Sequence, residues 1–268
     1  MLTNTLTMFR VACLLSLLFC TAIAFAQKAK NQNVQREYIA LTIYHAADTQ
    51  QLGTIHQYLQ QVMLPVLEKN RITKTGVFTA VDNDTATNKR IYVFTPFASL
   101  AQWEQVNNAM RNHHANTAAG DAYSQAPYNQ PPYTRYETVL MQAFSGMPQV
   151  KAPSLKGNRA ERVYELRSYE SATEALHLNK VAMFNEGELQ LFERLGFNAV
   201  FYGQVVAGSR MPNLMYMTSF ENKAARDEHW KTFGNHPDWK AMSSRPEYQN
   251  NMNHMDIVFL TPTAYSRL

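Results

Sequence analysis

The chain has 268 residues, enough for one large or two ordinary domains. Its 25 basic and 21 acidic side chains leave a formal charge of +4 with no run of five like charges, which removes the electrostatic footprint of a nucleic-acid binder. Both cysteines, Cys13 and Cys20, fall in the first 26 residues, so the rest of the chain has no disulfide and must be held by its core.

Residues 1–26 read as a cleaved signal peptide: Arg10 gives the positive flank, Val11 to Phe25 is an apolar run, and Ala24-Phe25-Ala26 is a cleavage site before Gln27. The run is shorter than the roughly 20 residues a spanning helix needs. The expectation is a periplasmic or secreted protein, free of the membrane after cleavage. Loss of Arg10 leaves a charge of +3 (4 − 1).

From Glu37 to Tyr44 the chain alternates, with Ile39, Leu41 and Ile43 on one face and Ala40, Thr42 and Tyr44 on the other, which predicts a half-buried strand. Asp48 opens a helical stretch with Ile55, Leu59, Val62 and Val66 on one stripe, and Pro65 should bend or end it. Strands follow at 72–81 and 90–97, then a helix capped by Ser99, an irregular loop over 116–134, and a strand at 136–142. Residues 143–161 form a linker rich in proline and glycine. The order then restarts over 162–268: strand 163–169, helix 173–195 stopped by Gly196, strands 197–206 and 214–220, a helix capped by Asn222, and strand 255–260.

Tyr44 recurs as Tyr169 at an offset of 125, and Thr95, Phe97, Ala101, Asn112 and His113 recur as Thr218, Phe220, Ala224, Asn235 and His236 at 123. A constant offset through strand, helix and turn marks a duplication. The fold class is therefore α+β: two tandem ferredoxin-like βαββαβ units, 36–142 and 162–268. Each four-stranded sheet has one face bare of helices, and packing the two together gives an intramolecular dimeric α/β barrel with a lumen. Tyr164 and Leu166 are assigned to the helix side of the fifth strand. Glu165, Arg167 and Tyr169 are assigned to the lumen, as is Tyr44 in the first unit; either Glu165 and Arg167 neutralise each other on the strand face, or these four are ligand-binding residues, with Arg167 taking a ligand carboxylate or phosphate.

RVYELRSY (162–169), MYMTSF, and ARDEHWKTFGNHPDWKAM (225–242) together resemble the NIPSNAP family, over most of 162–260; the first unit is similar to a diverged copy that lacks Pro-Asp-Trp. The resemblance implies dimeric α/β-barrel architecture in a superfamily of cofactor-free monooxygenases, haem-handling enzymes and small-molecule binders. It supplies no catalytic motif.

His236 is the remaining candidate, either capping a short helix begun by Pro237 or acting as a general base and ligand contact at the barrel mouth. No metal is expected: His229 and His236 are seven apart, roughly 10 Å along a helix, too far to share an ion. No nucleophile elbow, phosphate loop or haem attachment motif occurs, so no cofactor is expected. Met211, Met215, Met217, Met242, Met252 and Met255 could line an adaptable pocket or fill the core. The reading is a small-molecule-binding protein. Its alternatives are a cofactor-independent oxygenase or isomerase, and a structural or partner-binding module; homo-oligomerisation is left open.

Overall fold

A computed structural model describes residues 35–113 and 117–268; the signal-peptide reading and both cysteines lie outside them. The alternating stretches become strands and the striped ones become helices. In the first half these are β1 (Tyr38–Ala46), α1 (Thr49–Tyr58), α2 (Leu64–Lys69), β2 (Gly76–Ala80), β3 (Lys89–Phe97), α3 (Leu100–His113), α4 (Ala118–Ser124) and β4 (Arg135–Ala143). In the second they are β5 (Val163–Glu170), α5 (Glu174–Met183), α6 (Leu189–Arg194), β6 (Asn198–Ala207), β7 (Asn213–Phe220), α7 (Lys223–Asn235), α8 (Pro237–Ser243) and β8 (His254–Pro262). The side chains of Asp48, Ser99, Thr173 and Asn222 accept from backbone N–H groups in the first turns of α1, α3, α5 and α7. The loop expected over 116–134 contains α4, capped by Thr117.

The duplication extends to irregular features. A π turn joins α1 to α2 at Leu59–Met63, and another joins α5 to α6 at Phe184–Glu188, 125 residues later. Pro65 follows the first turn but Gln190 stands at the equivalent place in the second half, so proline is not what makes these helices widen. Both helices end the same way. Gly196 adopts φ +76 and Phe197 N–H donates to Phe192 O; 125 residues earlier Arg71 adopts φ +63 and Ile72 N–H donates to Leu67 O.

All strand pairs are antiparallel, and the eight strands close in the order β1-β3-β2-β8-β5-β7-β6-β4. The two four-stranded sheets therefore join edge to edge as well as face to face. One seam runs from Phe78↔Pro262 to Ala80↔Leu260, and the other from Leu140↔Ala207 to Ala143↔Gly203. Closure leaves no open edge in the barrel. At the second seam a Cβ on Gly203 would stand 2.8 Å from that of Met141, so the strands approach as they do because the residue is glycine.

Three clusters form the core. The barrel interior draws Ile39, Leu41, Phe78, Tyr92, Phe94 and Met141 from the first half, and Tyr164, Leu166, Val200, Phe201, Met217 and Leu260 from the second. Phe78 meets Tyr164 at 4.7 Å between ring centroids and Phe94 meets Phe201 at 5.3 Å, so the two halves share one packed core. A bulge in β6 at Ala199/Phe201 turns both Val200 and Phe201 inward. The other two clusters lie between each half's sheet and its helices.

This packing corrects the assignment of strand faces. Tyr164 and Leu166 point into the barrel, whereas Glu165, Arg167 and Tyr169 point outward beneath the helices, as does Tyr44 in the first half. The expectation that polar residues of the fifth strand would line the lumen fails because α7 brings Arg226 and Trp230 over them. The middle of the barrel is packed rather than hollow. One end is sealed by Leu268 and Val150, which join the interior cluster, with Arg159 donating to the backbone oxygens of Ser266 and Leu268.

Candidate functional site

The opposite end of the barrel has room. A cavity of about 400 Å³ opens there, with Ile43, Tyr92, Val139, Leu166, Met215 and Val258 as its apolar walls. They belong to strands of both halves, and each continues the inward alternation of its strand toward the rim. Charged residues crown that rim. His45 stands one alternation beyond Ile43, and Glu137 one before Val139. His45 Nε2 lies 2.6 Å from Glu137 Oε1, its Nδ1 3.1 Å from Asn88 Oδ1, and Arg135 donates to the same carboxylate at 3.3 Å. Across the opening Ser168 and Asn213 hydrogen-bond each other, and Arg210 pairs with Asp256 and reaches Glu170 at 3.7 Å. The bowl is apolar and its lip carries both signs of charge, which suits an amphipathic organic molecule held by its apolar part.

Glu170, His254 and Asp256 also place one ligand atom each within 4.8 Å of the others, a grouping that histidine spacing did not reveal. Arg210 already neutralises two of the three, so a cation would have to compete with a guanidinium.

The other residues singled out in the sequence lie elsewhere. Glu165 has no exposed surface, and its carboxylate accepts from Arg226 at 2.7 and 2.8 Å, from Arg167 at 2.8 Å and from Trp230 at 2.7 Å. Burial opposes its charge, but the hydrogen bonds from Arg226 and Arg167 win and hold its pKa below the ordinary carboxylate value. Arg167, 8% exposed, stacks on Trp230 at 3.6 Å and donates to the Tyr169 hydroxyl at 2.9 Å, which is 2.7 Å from that of Tyr216. Burial raises both tyrosines. Nearby, Lys180 and Glu188 form a buried pair at 3.2 Å, with burial raising the Glu188 carboxyl despite its partner. Each of these groups is answered from within the protein, so the network fastens α5, α7 and the sheet together rather than presenting a site.

Tyr44 lies in an aromatic cluster with Tyr123, Tyr133 and Tyr136, and burial pushes its hydroxyl up to about 12. His236 is a helix cap: its Nδ1 accepts from Asp238 N–H at 3.1 Å at the start of α8. The six methionines do not share one pocket; Met215 lines the open end and Met217 the packed interior, while Met242 lies against Gly187 in the π turn. His45 and Glu137 were missed, although continuing the period-two pattern of β1 and β4 to the rim would have found them.

The family model described as NIPSNAP matches residues 164–267. The second half thus carries a match to the NIPSNAP domain. The match takes in β5 from its second residue, β6 to β8, the buried Glu165 network and half of the cavity wall. Across the whole NIPSNAP-containing barrel the fold is similar to two crystal structures titled putative monooxygenase. The one from Lactobacillus acidophilus NCFM shows 11% identity and a TM-score of 0.56, covering 85% of this chain and 94% of that one. The one from Fusobacterium nucleatum shows 8% and 0.57, covering 85% and 93%. An anthrone oxidase-like protein shows 10% and 0.51, covering 88% and 97%. At such identities the likeness is one of fold. No curated protein matches the chain in sequence. No helix among the described residues is long and apolar enough to cross a membrane.

Proposed function

We propose that the protein binds a small amphipathic organic molecule in the cup at the open end of its barrel, and that it does so after export to the periplasm or the exterior. The observation that carries the reading is the contrast within one barrel: aromatic packing fills the middle, linker and tail residues seal one end, and the other end keeps about 400 Å³ between apolar walls and a charged lip. Native mass spectrometry of protein purified from its own cells is expected to show an organic adduct. The variant Leu166→Trp, which fills the cup from its wall, should lose the adduct while keeping its fold. A wild-type protein that is uniformly free of adduct, or a Leu166→Trp variant that keeps it, would overturn the assignment.

A second reading, cofactor-independent oxygenation or isomerisation in the same cup, draws on the His45–Glu137 pair, a histidine oriented by a carboxylate beside an apolar cavity. Both ring nitrogens of His45 are already engaged by side-chain oxygens, which favours binding over proton abstraction. Turnover lost on His45→Gln with ligand occupancy retained would establish catalysis.

A further inference from the structure

A second cavity lies outside the barrel, in a groove of about 450 Å³ between the start of α5 and the β6–β7 connection. Val205, Met211 and Pro212 form one wall together with Gln204, and Leu178 and His177 form the other together with Thr173 and Glu174. Leu178 and Met211 expose 56% and 53% of their surface, apolar area left open to water beside the Glu174 carboxylate, which disfavours an anionic occupant.

His177 is only 4% exposed, yet its side chain makes no hydrogen bond among the described residues, and Nδ1 is fully enclosed without a partner. The histidine is an exception among its neighbours, since Thr173, Lys180 and Asn185 of the same helical run are all engaged. Its counterpart 125 residues earlier is Leu52, so neither the fold nor the helix requires an imidazole here. Burial lowers its pKa and keeps the ring neutral near pH 7. A neutral imidazole carries one N–H, and an orphaned buried N–H is rarer than an orphaned acceptor. The proton therefore belongs on Nε2, the nitrogen that is not enclosed. A ring with that tautomer donates; it is poorly suited to a metal, because coordination through Nε2 would move the proton to Nδ1, where nothing accepts it.

We propose that this groove is a binding site for a neutral, largely apolar molecule carrying a carbonyl or similar acceptor oxygen, which takes the His177 Nε2–H hydrogen bond. The site is distinct from the cup and stands without it. The two share a wall: Ser209 and Arg210 line the cup, and Met211 and Pro212, next in the same connection, line the groove.

The test uses the full chain, isotopically labelled, with 2-acetonaphthone as the acceptor-bearing probe and 2-ethylnaphthalene as its hydrocarbon match. Long-range imidazole spectra are expected to show His177 neutral with its proton on Nε2. The ketone should shift the His177 ring and the Met211 methyl, and should bind about five- to tenfold more tightly than the hydrocarbon, the worth of one hydrogen bond. His177→Phe should abolish that preference. Leu178→Lys, an exposed change that leaves the core alone, should weaken both probes. The proposal is overturned by a proton on Nδ1, by equal affinity for the two probes, by no saturable binding at the ketone's solubility limit, or by shifts confined to Val139 and Val258 in the cup.

Discussion

At position 165 a carboxylate survives without any exposed surface because every side of it meets a donor. Removing the charge while leaving two guanidiniums beneath the helices strands them, and breaking such a buried pair costs about 3–5 kcal/mol. Glu165→Leu is expected to lower stability by that amount in urea unfolding. Its folded pKa lies below the ordinary 4.5, so its contribution is present above that value and is lost as pH falls through the depressed one. Glu188 has the opposite sign: its raised pKa contributes stability below 4.5 that disappears as pH rises through the folded value. The first half shows how the second pair can be dispensed with, since Ile55 and Met63 occupy the places of Lys180 and Glu188. The double change Lys180→Ile with Glu188→Met should be neutral or stabilising by about 1–4 kcal/mol, whereas Glu188→Met alone destabilises. Urea midpoints followed from pH 4 upward should also lose the Glu188-linked decline in the double variant. His236→Ala tests the cap directly: a loss of about 1 kcal/mol with ligand occupancy of the cup unchanged separates capping from a role at the mouth.

At the scale of elements, the two helix ends make a matched pair with one difference. Gly196 takes its left-handed conformation freely, while Arg71 takes the same conformation at a cost of about 1–2 kcal/mol. Arg71→Gly should therefore raise the melting temperature despite the greater freedom it gives the unfolded chain, and a fall would show that the Arg71 side chain contributes more than its backbone strain. The π turns recur with the same offset, so they belong to the ancestral unit and not to the proline of one copy. They also place Glu188 at the end of a widened turn, where it faces Lys180. β5 shows where an element's sequence ceases to inform. Its alternation was legible, but alternation names two faces without saying which is inside. In the strand alone, charged residues fit a wet lumen as well as a covered outer face. The donors that reverse the assignment, Arg226 and Trp230, come from a helix 61 and 65 residues further along.

At the scale of the molecule, each half covers the other's bare sheet and lends it two seams. Expressed alone, residues 156–268 would expose Tyr164, Leu166, Val200, Phe201, Met217 and Leu260 to water. Fully burying one such side chain is worth about 1.5–3 kcal/mol, so the isolated NIPSNAP half should pair with a second copy of itself, a dimer that sedimentation velocity would detect. A stable monomer would show that the interior faces contribute less than their burial implies.

The sequence by itself determined the duplication, the βαββαβ order of each half, the helix caps and the family of the second half, because these rest on local periodicity and on residues compared at a fixed spacing. Tertiary structure decided which strand faces are inside, which end of the barrel is open, and that His45 and Glu137 meet across 92 residues while the His177 ring finds no hydrogen-bond partner among the described residues. Those outcomes depend on which distant side chain arrives opposite a given position, and neither spacing nor composition carries that information.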